Sequence, residues 1–201
     1  TNNWDLGRLP SVLDTVAIAG SVPHDPQLDA NRTLAALVIL PGGTLSLNGY
    51  DLTVNGTASI TGTLAAAGAE TIAFKGDVDF TDGSFIAATS SVVLAGEAAQ
   101  HFTAAGESVY RLTVANAGGT VTLADSVTAT EFLCTTPGAQ IDFAPGSAYT
   151  FARMKLIGAA ADKIVLRSAT PESAWNLAVS DWHYVSRVDV QDSNASGCQT
   201  L

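Results

Sequence analysis

The sequence contains few charged residues, and few of those are basic. Charged residues make up 14% of the 201-residue chain, against about 25% in typical soluble domains. Nine Lys and Arg stand against nineteen Asp and Glu, which gives a formal net charge of −10. Because nucleic acids and anionic membrane surfaces are bound through clusters of basic residues, we expect neither as a partner.

Long hydrophobic runs are absent as well, although 47% of the residues are hydrophobic. No run approaches the roughly 18–20 apolar residues that a membrane helix needs, so we expect no membrane insertion by this segment. Nothing at the start resembles a signal peptide, and the chain begins at Thr1, which indicates a processed or excerpted piece. Apolar residues at helical spacing are nearly absent, which excludes a mainly helical domain.

The apolar residues occur instead as short alternating pairs. Segments with apolar side chains at every second position are separated by Gly, Asn and Asp, and Thr, Val, Leu and Ser dominate between the turns. This pattern is typical of many short strands joined by tight turns. The pairs include Leu45/Leu47, Ile72/Phe74, Val92/Leu94, Leu112/Val114 and Val121/Leu123. The sequence therefore predicts an all-β protein.

A repeat of twenty residues determines the predicted fold. Stepping by twenty from Leu52, and again from Val54, reaches only apolar residues. The first series is Leu52, Ile72, Val92, Leu112 and Phe132, and the second is Val54, Phe74, Leu94, Val114 and Cys134. A third series, two residues further on, contains Gly56, Gly76, Gly96 and Asn116. Because Gly and Asn tolerate left-handed backbone angles, we expect a left-handed corner at each repeat.

A constant period with a constant corner indicates a coil whose successive turns stack. We predict a parallel β-helix, or β-solenoid, with turns of about 20 residues stacked about 4.8 Å apart and the two apolar series as buried ladders. A β-sandwich or barrel is the alternative, but its hairpins have no reason to repeat at a fixed spacing. The same register places Arg111 beside Glu131 on the next turn, as an ion pair that tests the register.

One continuous domain is expected, in three parts. Residues 1–40 form an N-terminal cap and the first strands, with Trp4 covering the first turn, because an open solenoid end would template aggregation. Residues 41–155 form the regular turns. Residues 156–201 form less regular turns of the same domain, because the twenty-residue phase fails after residue 155.

Three stretches resemble repeats of very large secreted and surface proteins of bacteria. The run from Ala99-Gln100-His101-Phe102 through Leu112-Thr113-Val114 to Gly119-Thr120-Val121-Thr122-Leu123 is similar to repeats of autotransporter- and haemagglutinin-like adhesins. The segments from Trp4 to Val16 and from Ile164 to Ser193 are similar to the beginning and end of such modules. The resemblance implies a right-handed β-helix in an extracellular location, and it supplies no catalytic residues.

Acidic residues are the first candidates for chemistry, because some β-helices cleave polysaccharides with carboxylates that converge from neighbouring turns. The register places Asp77 and Glu97 on adjacent turns with Asp79 and Asp82 nearby, but no column combines an acid, a base and a cation. We therefore predict no catalytic residues. Asp77, Asp79 and Asp82 are interpreted as solvated turn residues and as candidates for a surface Ca²⁺ site, and no other cofactor is expected.

Cysteine and histidine are too sparse for a disulfide framework or a zinc site. Cys134 lies in the inward series and Cys198 about three turns away, roughly 14 Å at the spacing above and beyond the limit of about 7 Å for a bridge. We predict two free thiols, with an intermolecular link through Cys198 left open. His24, His101 and His183 are separated by more than seventy residues each.

An aromatic cluster near the end of the chain is the candidate for ligand binding. Trp175, Trp182, His183 and Tyr184 lie between two short strands. Exposed aromatic side chains beside polar strands can stack on sugar rings, because a ring offers a flat apolar face with polar groups around it. The alternative interpretation is that these residues cover the last turn of the coil.

The function predicted from these observations is structural and adhesive. We expect a non-catalytic β-solenoid module of a bacterial extracellular or cell-surface protein. Its partners would be glycans or proteins of a host or neighbouring cell, or further copies joined end to end. Two alternatives stay open, namely a β-helix that binds or cleaves polysaccharide and a subunit of a self-assembling extracellular filament.

Overall fold

The structure, a computed structural model, describes residues 7–20 and 24–195. Within these ranges the secondary structure consists of twenty-one β-strands and the turns between them, with no helix. This part of the chain accordingly has no helix of the length and hydropathy that a membrane span requires. The prediction of an all-β protein is confirmed, whereas Trp4 and Cys198 lie outside the described residues.

The strands are short at the start of the chain and longer towards its end. In chain order they are β1 Thr15–Ile18, β2 Arg32–Leu34, β3 Ala36–Ile39, β4 Thr44–Ser46, β5 Leu52–Val54, β6 Ala58–Ile60, β7 Thr63–Ala65, β8 Thr71–Phe74, β9 Val78–Asp79, β10 Ser84–Ile86, β11 Ser91–Leu94, β12 Gln100–Thr103, β13 Ser108–Val114, β14 Val121–Leu123, β15 Val127–Cys134, β16 Gln140–Phe143, β17 Ala148–Ile157, β18 Ile164–Ser168, β19 Trp175–Ser186, β20 Val188–Val190 and β21 Ser193–Asn194.

The strands stack into three parallel sheets that form a β-solenoid of about eight turns. One nine-stranded sheet has the order β1-β3-β6-β9-β12-β14-β16-β18-β20, and the other has the order β2-β5-β8-β11-β13-β15-β17-β19-β21. A three-stranded sheet, β10-β7-β4, forms a third side of the early turns. Each strand inside a sheet therefore pairs with the corresponding strands of the turns before and after it, as predicted.

The predicted apolar ladders run through the interior. Leu52 pairs with Ile72, Ile72 with Val92, Val92 with Leu112, and Leu112 with Phe132, all in parallel register. The second series pairs in the same way from Val54 to Cys134, and all ten side chains are at most 1% exposed. Since removing one such side chain from water is worth about 1.5–3 kcal/mol, the ladders are the main source of stability that each added turn brings.

The number of residues per turn is constant at first and then increases. In the second nine-stranded sheet, each step from Arg32 to Phe132 is twenty residues. The next step, from Phe132 to Met154, is slightly longer, and the step from Met154 to His183 is longer still. The stacking begins within the first forty residues, because β1 already pairs with β3.

Later turns lose their separate third side because two strands merge. In these turns one continuous strand takes the place of the strand of the third side and the strand of the second nine-stranded sheet. This continuous strand has 7 residues in β13, 8 in β15, 10 in β17 and 12 in β19. In β13, β15 and β17 two consecutive half-buried residues, such as Tyr110 and Arg111, interrupt the alternation of buried positions. The pairing with the next turn skips one residue there, since Val109 and Arg111 are paired and Tyr110 is not, so the strand bends around the corner and then continues in register.

The prediction of left-handed corners is wrong. Gly56, Gly76, Gly96 and Asn116 are not among the described residues with positive φ. A Cβ on Gly76 would instead lie 2.5 Å from the carbonyl carbon of Gly56, and a Cβ on Gly96 would lie 2.7 Å from the carbonyl oxygen of Lys75. Glycine is required because the backbones of adjacent turns approach closely at this corner, where there is no room for a side chain.

Near this corner, two buried amide side chains form hydrogen bonds with the backbone. The Gln100 side chain donates to the carbonyl oxygens of Phe74 at 2.9 Å and Gly76 at 2.7 Å. Asn116 donates to the carbonyl oxygen of Ala98 at 2.8 Å, and its own oxygen accepts from the two backbone N–H groups that lie two and three residues further along the chain. Both side chains are fully buried, so they satisfy backbone groups that the strands leave unpaired.

We predict that Gly76→Ala destabilises the protein by about 1–3 kcal/mol, the usual cost of forcing an atom into a packed site. Gly68→Ala is the matched control, because a Cβ there meets its nearest atom, Glu70 Oε2, at 3.9 Å and its φ is not positive. Urea unfolding followed by circular dichroism measures both variants. Equal stability of the two variants would contradict the close-approach explanation.

Candidate functional site

Two of the acidic residues considered for chemistry, Asp77 and Asp79, accept hydrogen bonds from backbone N–H groups. The Asp77 carboxylate accepts from the backbone N–H of His101 at 2.8 Å, and Asp79 accepts from the N–H and hydroxyl of Thr81 at 2.8 and 2.6 Å. Asp82 lies in a turn with a φ of 60°. The described residues contain no group of three or more His, Cys, Asp or Glu that is arranged to hold a metal ion.

Six carboxylates, Asp77 among them, form such a bond between neighbouring turns. Each accepts a hydrogen bond from a backbone N–H group 19 to 24 residues away in the chain. These residues are Asp25, Asp51, Glu70, Asp77, Glu107 and Asp125. Much of the acidic excess therefore has a structural role that composition alone did not reveal.

Glu70 is the most buried of these carboxylates, at 3% exposed. It accepts from the N–H groups of Gly49 at 2.9 Å, Ala67 at 2.8 Å and Gly68 at 2.7 Å. Burial alone would raise the pKa of Glu70, but the backbone hydrogen bonds outweigh burial and lower this pKa below its usual value. The charged form therefore stabilises the folded protein.

Cys134, His101 and His183 are not brought together in one site. Cys134 is buried in the ladder, and burial raises the pKa of its thiol. His101 lies beside Asp77, with 3.5 Å between its Nδ1 and the carboxylate, and both side chains are more than half exposed. His183 pairs with Met154 near the far end of the coil, so it lies several turns away from His101.

The aromatic cluster is divided between the interior and the surface. Trp175 is fully buried, its ring stacks on Phe143 at a centroid distance of 3.9 Å, and its Nε1 donates to the carbonyl oxygen of Gln191 at 3.0 Å. The interpretation of Trp175 as a ligand-binding residue is therefore wrong. It fills the interior because Trp175, Leu177 and Val179 occupy alternate positions of β19 that face the core.

Trp182 and Tyr184 are exposed. They are 45% and 56% exposed, and they lie two residues apart on β19, so both point away from the core. A change of register between Phe151 and Arg153 of β17 places three steps of β19 against two of β17. This bulge shifts the alternation, so that Trp182 pairs with Arg153, Tyr184 with Lys155, and half-buried His183 with Met154.

A row of charged residues leads from this aromatic pair across the sheet. Glu131 accepts from Arg111 Nε at 2.5 Å and from Arg153 at 2.8 Å, and it pairs in register with both residues. The predicted Arg111–Glu131 pair is confirmed. Arg153 escaped the sequence analysis because the step from Glu131 to Arg153 is longer than the regular step of twenty. The apolar pair Met154 and Leu156 continues the buried pair Phe132 and Cys134 at a longer step. Aligning these two pairs would have placed Arg153 beside Glu131.

A shallow groove of about 130 Å³ lies beside this row. We call the surface that it shares with Trp182 and Tyr184 the β17–β19 face. The groove is lined by Glu131, Phe132, Leu133, Arg153, Met154, Lys155 and Trp182. It therefore combines an exposed indole, two cationic side chains and an apolar floor, which are the components of a site for a flat polar ligand.

A second cavity, of about 110 Å³, opens at the N-terminal end of the coil. Its lining is mostly apolar and includes Leu9, Pro10, Val16, Leu28 and Leu45, together with Arg32 and Asp29. Arg32 and Asp29 form an ion pair with each other. This cavity therefore lies at the N-terminal end of the hydrophobic core, and its described lining offers few polar groups to orient a ligand.

Comparison of the chain with models of protein families, with curated proteins and with solved structures finds no match.

We predict that Glu70→Gln lowers the free energy of unfolding at pH 7 by about 2 kcal/mol, the scale of hydrogen bonds to a charged group. Because the folded-state pKa of Glu70 is lowered, its contribution is present above the unfolded pKa, about 4.3, and is lost as the pH falls through the folded value. The difference between wild type and variant should therefore shrink below about pH 4.

The control for this experiment is Glu172→Gln, which changes an exposed glutamate with the same loss of charge. Urea unfolding at a series of pH values measures all three proteins. A constant difference at every pH, or an equal effect of the control, would contradict the assigned role of the Glu70 carboxylate.

Proposed function

We propose that this chain is a structural and adhesive module of a bacterial extracellular or cell-surface protein. The carrying observation is the unbroken stacking of two nine-stranded parallel sheets over ladders of buried side chains. Eight inter-strand steps of about 4.8 Å extend the module by roughly 40 Å along its axis. Such a coil adds length without enlarging its core, as a stalk or a projecting surface requires.

The use of the carboxylates supports a non-catalytic role. Asp77, Asp79 and Glu107 accept hydrogen bonds from backbone groups. A general acid or base needs a carboxylate that is free to reach a substrate proton. The acidic surface, with a net charge of −10, favours solubility of an elongated module.

The proposed location rests on the resemblance to bacterial adhesin repeats. The run from Ala99 to Leu123 that carries this resemblance forms β12, β13 and β14, one turn of the coil with the first strand of the next. Its Gln100 is the buried amide that bonds the preceding turns. The most characteristic residue of the run thus has a structural task in the solenoid, which supports kinship with repeat modules of this kind.

Pulling the protein from its two ends tests the structural role. A stalk of stacked turns should unfold in steps, each releasing one turn of about 20 residues and therefore roughly 70 Å of chain. Force spectroscopy on the complete chain measures these steps. Release of the whole chain in one event, or extension without resistance, would contradict the proposed stalk.

Labelling of intact bacterial cells with an antibody against this chain tests its location. Surface exposure predicts labelling before permeabilisation and loss of the label after a brief protease treatment of whole cells. Labelling that appears only after permeabilisation would contradict an extracellular role. A cytoplasmic protein of the same cells serves as the control for leakage.

Binding of polysaccharide is a second candidate function. The observation that favours it is the exposure of Trp182 and Tyr184 beside Arg153 and Lys155. Incubation of the protein with polysaccharides, followed by detection of cleavage products, tests whether it also cleaves them. Asp77→Ala and Glu97→Ala are the variants that would abolish cleavage. A positive result with both variants inactive would replace the non-catalytic proposal with an enzymatic one.

A further inference from the structure

We propose that the β17–β19 face binds a polysaccharide rich in carboxylated sugars, that is, a polyuronate. This inference rests on the adhesive part of the proposed function and names the chemistry of its partner. Trp182 and Tyr184 would stack on the sugar rings, while Lys155 and Arg153 would attract the carboxylates. The following observations carry the proposal.

The two aromatic side chains are not part of the buried core. Trp175, on the same strand, shows what the interior does with a tryptophan, since it is fully buried and stacked on Phe143. Trp182 and Tyr184 remain 45% and 56% exposed, and neither ring lies against another ring among the described residues. Exposed aromatic side chains grouped beside polar residues indicate a binding surface.

The spacing of the two rings suits an extended ligand. Residues two apart on a strand are separated by about 7 Å, so Trp182 and Tyr184 offer two flat apolar surfaces side by side. The charged row from Arg111 to Trp182 crosses four strands, which is about 14 Å at the usual strand spacing. A surface of this size contacts several units of a polymer at once, and a single sugar would use only part of it.

The charges of the face favour an anionic polymer. Glu131 is shared by Arg111 and Arg153, which leaves one positive charge in excess in that trio. Lys155 is half-buried on the neighbouring position and forms no ion pair among the described residues. Asp181, which precedes Trp182 in the bulge, is the opposing carboxylate on β19 and is exposed.

The rest of the molecule sharpens this preference. The chain has a net charge of −10 and only nine basic residues, so most of the surface repels a polyanion. A face with two cationic side chains, Arg153 and Lys155, and with Arg111 in the adjoining charged row, is therefore an unusual patch on this protein. Charge complementarity confines an acidic chain to this face, whereas a neutral chain would gain only hydrogen bonds from the cations and no attraction between opposite charges.

Affinity electrophoresis and calorimetry of the complete chain with polygalacturonate test the proposal, with dextran as the neutral polymer and polyglutamate as an acidic polymer without sugar rings. We expect binding of polygalacturonate alone. Trp182→Ala and Lys155→Gln should each weaken it at least tenfold, and 0.5 M NaCl should weaken it further because salt screens exposed charges. The matched controls are Tyr50→Ala, an aromatic residue 37% exposed elsewhere on the coil, and Lys163→Gln, an exposed lysine.

Thermal unfolding of each variant confirms that its fold is intact. No binding of polygalacturonate by the wild type, equal binding by Trp182→Ala, or equally tight binding of dextran or polyglutamate would each overturn the proposal. These results would leave the stepwise unfolding under force and the labelling of intact cells unchanged. Failure of this inference is therefore distinguishable from failure of the proposed function.

Discussion

The close approach of successive turns at one corner is the constraint on which the rest of the structure depends. A parallel sheet holds its strands about 4.8 Å apart, and the corner must keep that spacing while the chain changes direction. A Cβ at Gly76 would lie within 2.6 Å of the Gly56 carbonyl group, so only glycine fits there. Where the column reaches Asn116, the added side chain is accommodated because it replaces hydrogen bonds that the backbone lacks. Packing of the apolar ladders can proceed only when this spacing is kept.

A coil with so many corners creates many backbone donors without a strand partner, and this explains the acidic composition in part. Carboxylates such as Asp51, Glu70 and Asp125 accept these donors from the neighbouring turn. Each bond joins two turns, so a polar side chain contributes to the same stacking that the buried ladders stabilise. An acidic residue is favoured over an amide at such places because it accepts several N–H groups at once without bringing donors of its own.

Periodicity predicted the fold, because a constant spacing of twenty residues repeats both the buried side chains and the corner. The same periodicity failed where the spacing changes. The steps from Glu131 to Arg153 and from Arg153 to Trp182 both exceed the regular one, so neither Arg153 nor Trp182 belongs to a column that a fixed step can find. The burial of Trp175 was also not predicted, because a cluster of aromatic residues does not show which of them face the core. The alternate apolar positions Trp175, Leu177 and Val179 of β19 carry that information. The left-handed corner was wrong for a different reason: glycine has two uses, and a sequence does not say whether backbone angle or lack of space requires it.

The place where the repeat breaks is also the place where the surface becomes distinctive. In the regular turns many outward positions hold small residues, such as Thr53, Ala73 and Thr113 in one column of the second nine-stranded sheet. The bulge between Val179 and Trp182 adds a residue to β19 relative to β17, and it shifts which side chains face outward. Arg153, Lys155, Trp182 and Tyr184 thereby meet on adjacent strands next to a groove. A regular solenoid supplies a rigid frame, and the irregular turn supplies a local chemistry that the other turns do not have. Specific recognition by a repeat protein requires such a difference between turns, because identical turns would bind a long ligand at every register equally well.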